Sequence, residues 1–182
     1  NVAIGHESLK LNTAANNTAV GVNALALNTT AANNTAIGKD TLYANTTGTR
    51  NTAVGKGALV ANTTGNENAS FGNLSLDANT TGCKNNAFGD SSLTTNTTGC
   101  CNVAIGNAAL SSNTTANDNT AVGINALTTN TTGCRNVAVG SNVLDANTSG
   151  LYNTGVGYSS LGSSTTGDQN AAFGINSGTS IT

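Results

Sequence analysis

The chain has 182 residues, of which only 8% are charged and 3% aromatic, and it contains 22 Gly but no Pro, Met or Trp. A net charge of −2 without clustered Lys and Arg excludes the electrostatic signature of a nucleic-acid partner. No apolar run approaches the roughly 20 residues that span a bilayer. We therefore expect no membrane insertion in this segment.

A repeat of 17 residues fills nearly the whole chain. Each copy opens like Asn51-Thr52-Ala53-Val54-Gly55, and the opening Asn returns every 17 residues from Asn17 to Asn170. Asn1 opens a first copy that is one residue shorter, so ten copies and a partial eleventh fill residues 1–182. Such a period indicates that each copy buries its apolar side by stacking on its neighbours. We predict one repeat domain over 1–182, and we expect it to be an excerpt of, or a subunit in, a longer fibre.

Numbering each copy from its first Asn shows what each position of the repeat carries. Position 1 is Asn and position 5 is Gly in every copy, and position 4 is always Val, Ile or Phe. Leu fills position 9 in every complete copy, and position 3 is Ala except at Ser70 and Gly155. Charged residues fall only at positions 6, 7, 10, 16 and 17, which predicts exposed loops there.

Short strands are favoured over helices, because every copy holds Gly, Thr and Asn, which are poor helix formers. Positions 1–4 predict one strand with positions 2 and 4 facing inward, and positions 8–13 predict a second strand with Leu inward. One copy per coil then gives an all-β parallel β-solenoid, or β-roll, with two short strands per coil. The predicted core ladder sets position 4 against position 9 and comprises Val54, Leu59, Phe71, Leu76, Phe88, Leu93, Ile105 and Leu110.

The recurring Asn residues allow two interpretations. Identical Asn at positions 1 and 12 are expected to stack as amide ladders that hold the corners of the coil. Position 12 also opens an Asn-x-Thr/Ser motif, the acceptor for N-linked glycan, and the Thr of the same turn could carry O-linked sugar instead. A glycan row would help to keep so weakly charged a rod in solution. The candidates at position 12 are Asn28, Asn45, Asn62, Asn79, Asn96, Asn113, Asn130 and Asn147, with further motifs at Asn16, Asn33, Asn68 and Asn73.

Four cysteines offer a candidate disulfide. Cys83 and Cys100 share position 16 on consecutive coils, so their Cα atoms should lie about 5 Å apart, within disulfide range. Cys134 lies two coils beyond Cys100, so Cys101 and Cys134 are expected to be free or to pair between chains. A metal site is disfavoured, because Zn²⁺ needs closely spaced Cys or His and the single His6 is distant in sequence. A disulfide would indicate an oxidising, extracellular setting.

Segments such as Asn102-Val103-Ala104-Ile105-Gly106 resemble the VAIG-containing repeats in the heads of trimeric autotransporter adhesins. The longer segment 119–133 resembles repeats of phage-tail-fibre-like surface proteins. The adhesin heads fold as left-handed parallel β-rolls, so the resemblance implies left-handed coils. It also implies a rod, trimeric in the adhesins, on a cell or virion surface.

The function that the sequence favours is structural. No His or carboxylate recurs beside the many Ser and Thr, so we expect neither an enzyme nor a cofactor. We expect an extracellular fibre or adhesin module that self-associates, end to end or as a homotrimer, with glycans or a host surface as further partners. Two alternatives stay open: an ice-binding protein that uses the Thr at position 13, from Thr13 to Thr165, and a glycan-binding tail-fibre-like protein.

Overall fold

A computed structural model of the chain describes residues 1–180 and confirms the all-β parallel β-solenoid. Eleven strands of three residues form a single sheet in which each strand pairs in parallel with the next in chain order. No helix in residues 1–180 is long and apolar enough to cross a membrane. The strands are β1 (Val2–Ile4), β2 (Thr18–Val20), β3 (Thr35–Ile37), β4 (Thr52–Val54), β5 (Ala69–Phe71), β6 (Asn86–Phe88), β7 (Val103–Ile105), β8 (Thr120–Val122), β9 (Val137–Val139), β10 (Thr154–Val156) and β11 (Ala171–Phe173).

The sheet keeps one register along its whole length. Ala53 of β4 pairs with Ala36 of β3 on one side and with Ser70 of β5 on the other, one repeat away in each direction. Equal positions of the repeat therefore lie above one another as rows. We call these the first Asn row (position 1), the Ala row (position 3), the Val/Ile/Phe row (position 4), the Leu row (position 9), the second Asn row (position 12) and the first and second Thr rows (positions 13 and 14).

The second strand predicted for each coil is not formed. In the fourth coil, residues 55–62 instead make successive turns, in which the N–H groups of Ala58, Val60 and Asn62 donate to the third carbonyl back along the chain. The amides between them bond to neighbouring coils, as Leu59 does to the carbonyl of Ser75 at 3.0 Å. Gly55 begins this segment with φ of 132°, and a Cβ there would collide with the carbonyl oxygen of Gly72. Half of the amides in this segment thus bond within their own coil. The amides of a strand bond to neighbouring strands instead, so the segment is a series of turns.

The core is formed by the Ala row and the Leu row. Ala53, Ala87 and Ala104 are fully buried, as are all residues of the Leu row from Leu25 to Leu161. Leu59, Leu76, Leu93 and Leu110 thus confirm their half of the predicted core ladder.

The other half of that ladder is wrong. Val54 and Phe71 are only half-buried, and Phe88 and Ile105 are 38% and 42% exposed. Successive residues of a strand point to opposite sides, and in every strand from β2 to β11 the middle residue is the buried one. Positions 2 and 4 therefore face outward together, and the small Ala between them lines the core.

The Leu row also has an unusual backbone. Its ten residues have φ between 50° and 54°, in the left-handed region that costs a residue with a Cβ about 1–2 kcal/mol. Burying a Leu side chain contributes about 1.5–3 kcal/mol, which offsets that cost. The Leu row therefore stabilises the turns that carry it, and Gly178, which replaces Leu in the last copy, also has a positive φ, of 66°.

Candidate functional site

The second Asn row forms a continuous amide ladder in the interior. Each side-chain Nδ2 donates to the Oδ1 of the Asn one coil earlier, as Asn96 does to Asn79 at 2.8 Å. The same Nδ2 also donates to a carbonyl three residues later, which for Asn96 is that of Gly99 at 3.1 Å. The predicted ladder is confirmed here, because each buried amide has partners both in its own coil and in a neighbouring one.

The first Asn row joins coils differently. The Oδ1 of Asn51 accepts the backbone N–H of Asn68 at 3.0 Å and also the side-chain Nδ2 of Asn68 at 3.2 Å, so this row adds a backbone donor to the amide-to-amide contact. The Asn51 Nδ2 donates to the carbonyl of Gly65 at 2.8 Å, and Asn62 of the second Asn row donates to that same carbonyl at 3.1 Å. Both Asn rows therefore converge on one carbonyl in each coil and close the coil where its two ends meet.

This burial overturns the predicted glycosylation sites at position 12. The eight side chains are fully buried, and their Nδ2 atoms, which a glycan would have to occupy, donate within the ladder. A glycan there would have no room and would break the ladder. The prediction is therefore wrong for Asn28, Asn45, Asn62, Asn79, Asn96, Asn113, Asn130 and Asn147.

The remaining sequons differ in accessibility. Asn68 belongs to the first Asn row and is buried, so it is excluded on the same grounds. Asn16, Asn33 and Asn73 are exposed, and they stay predictions as acceptors of N-linked glycan.

The second Asn row is interrupted in the tenth coil, where Ser164 replaces Asn. The Oδ1 of Asn147 and the Oγ of Ser164 are both buried and have no hydrogen-bond partner. The Ser side chain is too short to repeat the contact that each Asn makes with the preceding coil. This break is the weakest point of the ladder, because an unpaired buried polar atom costs about 1–3 kcal/mol.

The two Thr rows lie side by side but differ in their hydroxyl groups. In the first Thr row each Oγ1 donates to the carbonyl of the next member, at 2.8–3.2 Å from Thr13 to Thr165. These hydroxyl hydrogens are thus used in bonds between coils, and the ice-binding alternative stays a prediction. The second Thr row is exposed along its length and comprises Thr30, Thr47, Thr64, Thr81, Thr98, Thr115, Thr132, Ser149 and Thr166.

The cysteines lie in the order that their repeat positions predicted. The Sγ atoms of Cys83 and Cys100 are 2.9 Å apart, and both thiols are free. The hydrogen bond with Cys100, aided by burial, raises the pKa of the Cys83 thiol to about 11. Asn117 separates Cys100 from Cys134, whose Sγ accepts the Asn117 N–H at 3.3 Å. The Cys83–Cys100 disulfide stays a prediction with favourable placement, and Cys101 is exposed.

Several charged side chains on the loops form exposed ion pairs. The Lys10 Nζ is 2.7 Å from the Glu7 carboxylate, and their hydrogen bond lowers the pKa of Glu7 and raises that of Lys10. Arg135 lies 5.4 Å from the centre of the Tyr152 ring. Within residues 1–180, no three His, Cys, Asp or Glu side chains are grouped as the ligands of a metal ion would be.

The feature that sequence reasoning missed is an outward apolar surface. We call the outward side chains of β1–β11, at positions 2 and 4, the outer face. The rings of Phe71 and Phe88 stack on it with centroids 4.7 Å apart and planes inclined by 6°. The signal was available in the sequence, because position 3 is uniformly small and only small residues fit inside so thin a coil.

Comparisons of the chain with protein-family models, with curated proteins and with solved structures returned no match. The class of the protein therefore comes from its own structure. The eleven in-register strands and the rows of identical residues define a β-solenoid repeat protein.

Proposed function

We propose that this chain is a structural module of an extracellular fibre or adhesin, displayed on a cell or virion surface as a stiff rod. A β-solenoid of this kind is compatible with a structural repeat protein. The finer assignment rests on one observation, the buried second Asn row, in which the amides of successive coils are hydrogen-bonded to one another.

The ladder supports a rod because it is one of three sets of hydrogen bonds that couple each coil to the next. The strands pair in parallel, the turns exchange amide hydrogen bonds with neighbouring coils, and the Asn amides bond from coil to coil. Neighbouring strands lie about 4.8 Å apart, so eleven coils extend roughly 50 Å. Bending such a rod would stretch all three sets of bonds on one side.

Self-association, end to end or as a homotrimer, is part of the proposal. The hydrogen-bond pattern repeats at each boundary between coils, so a coil of one copy could present to another copy the pattern used within the chain. The loops at positions 6, 7, 16 and 17 carry most of the charge and would face a host surface or its glycans. The proposal assigns the chain no catalytic role.

The location of the native protein tests this function. Immunogold labelling of the cells or particles that produce the protein should place gold along fibres outside the envelope. Pre-immune serum is the control for background. Gold confined to the cell interior, or spread without fibres, would contradict the proposal.

A further inference from the structure

The outer face combines exposure with a lack of charge. Along β1–β11, position 4 holds only Val, Ile and Phe, and position 2 holds Val, Thr, Ala and one Asn, Asn86. Ile37, Ile105 and Val139 are 40%, 42% and 38% exposed. No Lys, Arg, Asp or Glu lies on this face, although charged residues follow β1, β3, β4 and β6 at positions 6 and 7 of the repeat.

The extent of this face is large for a surface left in water. Eleven strands about 4.8 Å apart are roughly 50 Å long, and two outward residues per strand are roughly 12 Å wide, which gives about 600 Å². The apolar part of the face is the unbroken Val/Ile/Phe row together with the Val and Ala of position 2, whereas Thr or Asn takes position 2 in six strands. The largest apolar patch of an ordinary monomer covers about 300–600 Å² and is often a binding site. Two such faces together would bury about 1,200 Å², the lower limit for a stable protein interface.

The spacing of the side chains on the outer face restricts which partner can cover it. A partner must present apolar groups every 4.8 Å or so over roughly 50 Å, and it must carry no charge that would be buried without a partner. A second copy of this chain satisfies both conditions, because its own outer face has the same strand spacing and the same lack of charge. Sheets pack face to face about 10 Å apart, with side chains of the two faces interleaved.

We propose that two copies of this chain pair laterally, outer face against outer face, with the Val/Ile/Phe rows at the centre of the interface. The pairing rests on the proposed structural role and deepens it, because it identifies the surface through which rods associate side by side. It differs from end-to-end contact, which uses strand edges, and it leaves the charged loops of both copies free.

Sedimentation equilibrium of the purified chain, in a thiol reductant that prevents links through Cys101, tests the pairing. The wild-type chain should sediment as a dimer at micromolar concentration. Ile105→Asp places a charge at the centre of the face and should weaken the dimer by roughly a hundredfold or more. Thr115→Asp adds the same charge to the same coil, on the exposed second Thr row, and should leave the dimer unchanged.

Circular dichroism must show the wild-type β content for each variant. Val139→Lys of β9 replaces Ile105→Asp if that variant misfolds. A monomeric wild-type chain, or a dimer equally weakened by both Asp variants, overturns the pairing. If Ile105→Asp still associates, the contact lies at the coil ends. If the wild-type chain is a monomer whose thermal hysteresis Ile105→Asp abolishes, the outer face binds ice. Either result also overturns the lateral pairing.

The frictional ratio from sedimentation velocity separates this proposal from the structural role. A monomer with the frictional ratio of a rod overturns the pairing alone. A compact or unfolded monomer overturns the proposed rod as well.

Discussion

The two sides of the β-strands differ in an unexpected direction. Ala87 faces inward and is fully buried, whereas the next residue, Phe88, faces outward with 38% of its surface exposed. In most sheets the larger apolar residue would face the core. Here each coil is so narrow that the sheet side contributes only a methyl group, and the Leu row on the opposite side fills the remaining space.

The polar residues also divide into a buried group and an exposed group. The Asn rows are buried and their hydrogen bonds run between coils, whereas the Asn residues of the loops are exposed. A position that never varies can therefore be a buried polar ladder, and a uniformly apolar position can be a surface. In this repeat, a position that allows few residue types is therefore one whose side chain contacts the neighbouring coil, whether it points inward or outward.

The largest test of this contrast compares Leu93→Ala with Phe88→Ala. Leu93→Ala leaves a cavity in the core and should lower the free energy of unfolding by about 2–5 kcal/mol. Phe88→Ala removes a larger but outward ring and should cost less than about 1.5 kcal/mol in the monomer, mainly through the lost stacking on Phe71. Urea unfolding of both variants measures the difference. Equal costs would show that the outer face belongs to the core.

Leu93→Gly sharpens this comparison. Leu93 has φ of 51°, which Gly adopts without strain. Leu93→Gly should therefore be about 1 kcal/mol more stable than Leu93→Ala, although Gly usually destabilises more than Ala. The reverse order in urea unfolding would contradict a left-handed backbone at this position.

The second largest effect is expected from a covalent link at position 16, on the surface of the rod. Oxidised glutathione, which accepts the two electrons and two protons, should join Cys83 to Cys100 and raise the free energy of unfolding by roughly 3 kcal/mol. The measurement is urea unfolding with and without reductant. Cys83→Ser should abolish the response, whereas Cys134→Ser should keep it, because Asn117 separates Cys134 from Cys100.

A smaller loss is expected when the second Asn row is broken in its middle. Asn96→Ala removes the partner of the Asn79 Oδ1 and the Asn113 Nδ2, and it should cost about 2 kcal/mol. Amide hydrogen exchange should show the opening beginning at the coils on either side. The exposed Asn107, whose Nδ2 lies 3.5 Å from Asp90, is the control, and Asn107→Ala should change little. Similar losses of stability in both variants would show that a ladder Asn contributes no more to stability than an exposed Asn.

The smallest expected change is a gain. Ser164→Asn supplies an Nδ2 that can donate to the unpaired Asn147 Oδ1 and should stabilise the chain by about 1 kcal/mol. Ser164→Ala removes only the unpaired hydroxyl and should give a smaller gain. Slower amide exchange in the ninth and tenth coils of Ser164→Asn is the readout. Destabilisation by Asn would show that the tenth coil cannot accommodate the ladder.

The sequence by itself determined the period, the β-solenoid and the stacking of equal positions into rows. These follow from spacing alone, since a fixed repeat with one parallel strand per coil brings Asn79 beside Asn96 and Cys83 beside Cys100. The Leu half of the core was predictable too, because Leu occupies position 9 in every complete copy.

Only the tertiary structure decided which way each row faces and how the rest of the coil folds. A strand of three residues has one inward side chain, and a shift of one residue exchanges the two sides, so alternation alone fits Val54 inward as well as Ala53, and only the small size of position 3 pointed to the actual orientation. The turns that replaced the second strand require a left-handed backbone at Leu59, which local preference opposes and only burial against neighbouring coils offsets. Burial likewise decided that Asn62 is a ladder residue and not a glycan acceptor, because the accessibility of its amide depends on the coils above and below it.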